Sequence, residues 1–92
     1  MKLTSGFNFE NYEITDYLGF CSGEYALNTK FLSDFNLLSS YSEKLEEAQK
    51  NALDILINNA KQMGADAIIG LDIDYTTDDH DIMGVIANGT AV

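Results

Sequence analysis

The sequence predicts an α+β subunit: a small antiparallel (mixed) sheet backed by one long and one short helix. Three stretches predict it. Residues 41–63 repeat apolar side chains at threes and fours, the spacing of one helix face. Residues 66–75 alternate at period two, with Ala67, Ile69, Leu71, Ile73 and Tyr75 on one side and Asp66, Ile68, Gly70, Asp72 and Asp74 on the other. Residues 82–92 are apolar at both odd and even positions, as in a strand covered on both faces.

The elements follow in order. Residues 1–11 are weakly patterned; Phe7 and Phe9 fit a short edge strand, with a turn at Glu10-Asn11. From Tyr12 to Leu27 the chain is rich in β-formers. Tyr12, Ile14, Leu18 and Phe20 share one face and Tyr17, Cys21 and Tyr25 the other, while Gly19 and Gly23 interrupt. Glycines inside a strand mark bulges or bends, so this reads as one long bent strand or two meeting near Gly23. Asn28 is a good N-cap for a short helix over 29–38, with Phe31, Phe35 and Leu38 on its stripe. Ser39-Ser40 ends it.

Ser40 and Glu43 form a capping box for the long helix, whose stripe is Leu45, Ala48, Ala52, Ile55, Leu56, Asn59 and Met63. Gly64 stops it as a C′ glycine does. After the strand at 66–75, the run 76–81 is polar and turn-like.

Ninety-two residues make one domain spanning 1–92, and 46% hydrophobic content is ordinary for a globular one. A chain this short buries only roughly 60–65% of its unfolded surface, so association between copies is a natural source of stability. Five basic residues against fifteen acidic ones give a net charge of −10. That balance argues against nucleic acid, whose phosphates need clustered Lys and Arg, and against an anionic membrane surface. The single cysteine, Cys21, excludes an intrachain disulfide and a thiolate cluster within one chain. Without an 18-residue apolar run or a charged-then-apolar leader at Met1, the expected setting is the cytoplasm.

The segment Gly64-Ala-Asp-Ala-Ile-Ile-Gly-Leu-Asp-Ile-Asp-Tyr75 closely resembles the signature of the YbjQ-like family, small bacterial proteins that carry a heavy-metal-binding label. The Gly23-Glu24 pair is similar to that family's Gly-Glu step, and Gly89-Thr-Ala-Val92 to its C-terminal end. The resemblance spans nearly the whole chain. It implies an α+β, ring-forming subunit whose helices pack on the sheet, assembling as a homopentamer with the sheets meeting around the axis. The chain departs from the pattern between the helices. Many relatives have a longer, Gly- and Arg-containing connection there, and this chain has Ser39-Ser40.

The residues supply several site candidates. Asp72 and Asp74, two apart on a strand, project from one face roughly 6–7 Å apart. They can ligate a hard cation with oxygens from a neighbouring chain, or be a solvated strand face. His80 sits among Asp78, Asp79 and Asp81, a mixed N/O set for a transition metal or simply an exposed turn. Cys21 is a soft-metal ligand or a small apolar residue in a core or interface. Glu24, beside Gly23, is a ligand or interface candidate or a carboxylate held by backbone N–H groups. Tyr75, like Tyr17 and Tyr25, reads as an interface or core aromatic with a wet hydroxyl. No nucleophile–base pair, phosphate loop or His-Glu-x-x-His is present.

The residues therefore point to a homo-oligomeric cytoplasmic binding or scaffold protein, not an enzyme, with its small-molecule ligand left open. A second reading is metal handling, of a divalent or soft ion, through Asp72, Asp74, Cys21 or His80. An enzymatic reading requires an intersubunit cleft that joins Glu24, Tyr75 and the acids.

Overall fold

The computed structural model describes residues 1–28, 41–77 and 82–92. Its elements are β1 (Lys2–Leu3), β2 (Gly19–Asn28), α1 (Tyr41–Gln62), β3 (Ala67–Thr77) and β4 (Ile82–Ala91). They form a four-stranded mixed sheet in the order β1-β3-β4-β2, with α1 on one face. β1 runs parallel to β3, and the other pairs are antiparallel. The α+β architecture read from the periodicities is the one observed. The short helix over 29–38, the Ser40 half of the capping box and the 78–81 run lie outside the described residues, and Asn28, expected as that helix's cap, is the last residue of β2. Among the described residues no helix is long and apolar enough to cross a membrane.

The helix ends as its sequence dictates. Gly64 has φ +84°, and the Ala65 N–H donates to the Ala60 carbonyl (3.1 Å) while the Gly64 N–H donates to Lys61 (3.0 Å). These are the two bonds of a Schellman cap. The buried stripe keeps Ala48, Ala52 and Leu56 of the expected set, adds Ala60, and leaves out Ile55, Asn59 and Met63. Ala48, Ala52, Leu56 and Ala60 are fully buried, whereas Ile55 and Met63 are each 37% exposed and Asn59 is exposed. The row Ala48, Ala52, Leu56 and Ala60, each four residues from the next and three of them alanine, gives α1 a flat face, and Gly23 offers no side chain opposite it. A Cβ at Gly23 would collide with the Ala52 carbonyl oxygen and the Leu56 nitrogen. Gly23 is thus neither bulge nor bend; it lets helix backbone rest on strand backbone.

On β2 and β4 the odd positions face the helix. Cys21, Leu27, Met83, Val85, Ala87 and Ala91 form the core with the helix stripe and Ile68. The even positions of β4 are less covered: Ile86, Asn88 and Thr90 are half-buried and Ile82 is 41% exposed.

Four expectations need correction. β2 begins at Gly19, not Tyr12: φ +130° at Gly19 breaks the extended run, and residues 12–18 are irregular, with Tyr12 and Tyr17 exposed. The N-terminal strand is Lys2–Leu3 rather than Phe7–Phe9, although the turn after Phe9 is present, with Asn11 at φ 65° and the Tyr12 N–H on the Phe9 carbonyl. Thr76 and Thr77 extend β3 rather than opening the turn. Finally, β3 does not alternate throughout. Its register on β4 shifts between Ile69 and Asp72, where Gly70 takes φ +60°. Ile68 therefore pairs with Ala91 on the helix side, and Ile69 lies on the side of Asp72 and Asp74.

Two glycine substitutions separate the causes of stability. Gly23→Ala should lower stability by about 1–3 kcal/mol or more, because rigid backbone must move apart. Gly64→Ala meets nothing within 4 Å, so it should cost only the left-handed conformation, about 1–2 kcal/mol. Urea unfolding midpoints of the two variants check the order.

Candidate functional site

The face of the sheet away from α1 carries the acids. Asp72 pairs in register with Asn88, which pairs with Ser22; Asp74 pairs with Ile86, which pairs with Glu24. Asp72, Asp74 and Glu24 are all exposed there, and the Asn88 amide donates to an Asp74 carboxylate oxygen at 3.3 Å. Gly84 lies between Thr76 and Glu24; a Cβ on it would stand 2.6 Å from the Thr76 hydroxyl and 3.4 Å from a Glu24 carboxylate oxygen. The missing side chain at Gly84 lets Thr76 and Glu24 lean together over β4.

Cys21 is on the other face, 8% exposed in the core beneath α1, with its Sγ 3.7 Å from the Gly89 carbonyl oxygen. Burial pushes its thiol above the ordinary pKa. Tyr75 is also on the helix side; its hydroxyl accepts from the Gln49 amide, and its ring is 47% exposed. Glu24 and Tyr75 thus sit on opposite faces of one subunit. His80 lies outside the described residues.

The fold therefore unites Asp72, Asp74 and Glu24 and separates them from Cys21 and Tyr75. Among the described residues no three His, Cys, Asp or Glu side chains gather into a metal-holding group. Within one chain the described residues do not form a complete metal site.

An open cleft of about 690 Å³ lies where the end of α1 meets β2 and β4, lined by Phe20, Cys21, Asn59, Met63, Gly70 and Asn88 among others. Asn59 donates to the Ser22 carbonyl at 2.7 Å, and a Cβ at Gly19 would lie 3.4 Å from the Met63 methyl. The helix positions 55, 59 and 63 thus overhang the strand edge instead of filling the core. Phe20 stands 91% exposed on the acid-bearing face. The sequence places Phe20 on a strand face but carries no signal of how exposed its ring stands. A second cavity, of about 440 Å³, lies under the N-terminal segment and includes Lys2, whose ammonium is 4.3 Å from the Tyr12 ring centre.

The raised thiol pKa has two readable consequences. Cys21 should react with a disulfide reagent far more slowly in the folded protein than in urea at neutral pH, because its thiolate is scarce and shielded. Since the folded state holds the thiol proton more tightly, the associated stability is complete below the unfolded thiol pKa. It should fall as pH rises from there through the folded value, and Cys21→Ala should flatten that decline in an alkaline unfolding series.

A family model described as "Putative heavy-metal-binding", the YbjQ model, matches residues 1–92. A UPF0145 protein of Carboxydothermus hydrogenoformans is 34% identical, the alignment covering all of this chain and 94% of that protein. UPF0145 proteins of Geobacillus kaustophilus and Anoxybacillus flavithermus are each 35% identical, over all of this chain and 96% of theirs. These alignments run over 101 to 103 positions, longer than this chain, so the relatives carry extra residues. A crystal structure of a protein of unknown function from Pediococcus pentosaceus, assigned to the DUF74 family, has the same fold: TM-score 0.57 at 20% identity, covering 99% of this chain and 94% of that one. The resemblance carried by residues 64–75 is thus borne out over the full length, and the chain belongs to the YbjQ family of UPF0145 proteins.

Proposed function

We propose that this chain is the subunit of a homo-oligomeric cytoplasmic ring, of five copies, that serves as a binding or scaffold module and not as an enzyme. The observation that carries the reading is Phe20, 91% exposed on the edge strand of the sheet. Burying such a ring is worth about 1.5–3 kcal/mol per copy, and single domains rarely leave one on a strand edge without a partner. Ile55 and Met63, at the same edge, enlarge the apolar surface. Light scattering on the purified protein should give the mass of five chains. A mass of 10.2 kDa at micromolar concentration would defeat the proposal.

A second reading is favoured by the acid-bearing face and by the metal-binding description of the family. Asp72, Asp74 and Glu24 share one exposed surface, and repeating it around a ring would concentrate negative charge and raise local cation density. Hard divalent ions prefer such oxygen donors. Calorimetric titration with a divalent ion should then show saturable binding that Asp72→Asn/Asp74→Asn weakens at least tenfold. Equal heats for the two proteins would remove this reading and leave the first untouched.

A further inference from the structure

Where β3 begins and β4 ends, the N-terminal segment passes over the sheet on the face away from α1. Lys2 is in parallel register with Ala67, and Leu3 with Ile68. Leu3 and Ile68 belong to the core beneath the helix, so by alternation Lys2 and Ala67 face the other way. Ala67 is nevertheless only 7% exposed. The run 9–15 stands over it, and the cavity of about 440 Å³ lies between that run and the strand.

The walls of this cavity combine two aromatic rings, Phe9 and Tyr12, with two carboxylates, Glu13 and Asp66, and one ammonium, Lys2. Such a volume, with apolar walls and a few charged groups, suits a small organic molecule. Three observations fix the sign of the charge that molecule carries. The Tyr12 ring already holds a cation, the Lys2 ammonium 4.3 Å from its centre. Among the lining side chains the carboxylates outnumber the ammonium two to one. The whole chain, at a net charge of −10, draws cations toward its openings and repels anions. Lys2 is exposed, and its long flexible stem lets the ammonium swing off the ring into water.

We infer that this cavity is a binding site for a small organic cation, a substituted or quaternary ammonium group joined to an apolar body. The ammonium group takes the place of the Lys2 ammonium on the Tyr12 face, where Glu13 and Asp66 balance its charge. The apolar body packs against Phe9 and Ala67. Lys2 is then an internal competitor: it presents the same charged head to the same ring and must leave before the ligand enters. One chain supplies every one of these residues, so the site stands or falls apart from the ring and from the divalent-ion reading.

Two probes of similar shape and opposite charge, phenyltrimethylammonium and benzoate, test this on the full chain. Titrated by NMR, phenyltrimethylammonium should bind saturably with a dissociation constant of about 1 mM, shifting the amide signals of Lys2, Tyr12, Asp66 and Ala67. Benzoate should leave them in place. Tyr12 is 60% exposed, so Tyr12→Leu should keep the fold while weakening the cation about fivefold or more. Lys2→Met should act the other way and tighten it about twofold or more, because the ring is no longer contested. Glu13→Gln/Asp66→Asn should weaken binding, whereas Glu46→Gln/Glu47→Gln, an equal loss of charge on the exposed side of α1, should not. Benzoate binding as tightly as the cation, no saturation by either probe, or weaker cation binding in Lys2→Met would each overturn the site.

Discussion

The contact of α1 with the backbone of β2 at Gly23 governs this structure. Helices normally stand off a sheet by the thickness of two layers of side chains. Here the strand supplies no Cβ, and the helix supplies Ala48, Ala52 and Ala60, so the two backbones touch. The closeness anchors α1 over the outermost strand and not over the centre of the sheet. It leans on β2 and β4 and barely reaches β3. Large side chains fill the space only where the layers diverge, at Leu56, Ile68 and Val85, which are among the fully buried residues.

From that placement the two surfaces acquire their characters. Because α1 sits over β2, its 55, 59 and 63 row hangs past the sheet edge, where Asn59 takes the Ser22 carbonyl and Met63 covers Gly19. The face away from α1 is left to Asp72, Asp74, Glu24, Asn88 and Thr90, with Phe20 at its margin. A polar field thus lies beside an exposed aromatic residue at the sheet margin.

Much of this was legible in the chain and some was not, for reasons that particular residues make clear. Helix α1 declared itself through its periodicity and Gly64, because a left-handed cap and a 3.6-residue repeat are local properties. Strand β4 did so through its apolar density. The helix stripe was right at Ala48, Ala52 and Leu56 but took in Ile55, Asn59 and Met63 and missed Ala60, because periodicity and hydrophobicity weigh isoleucine and methionine above alanine. The contact at Gly23 rewards smallness, and only the packing partner reveals that. The bulge at Gly70 was hidden for a similar reason: residues 67–75 alternate well enough in sequence that nothing local marks the extra residue. Of the candidate ligands, the spacing of Asp72 and Asp74 placed them on one face. The same alternation already put Tyr75 on the opposite side; Cys21 fell there too, since facing across strands depends on register, which a single sequence does not display.

Strand β2, which has no partner on its outer side among the described residues, also bears on how single copies behave in solution. A lone copy presents a ten-residue template with an aromatic ring at one end, the usual seed of irregular strand-on-strand clumping. The excess of ten negative charges works against this, since two such copies repel at distances beyond about 10 Å in dilute salt. Acidity here acts as a colloidal brake: it slows every encounter alike, so that only one whose shapes match closely is held.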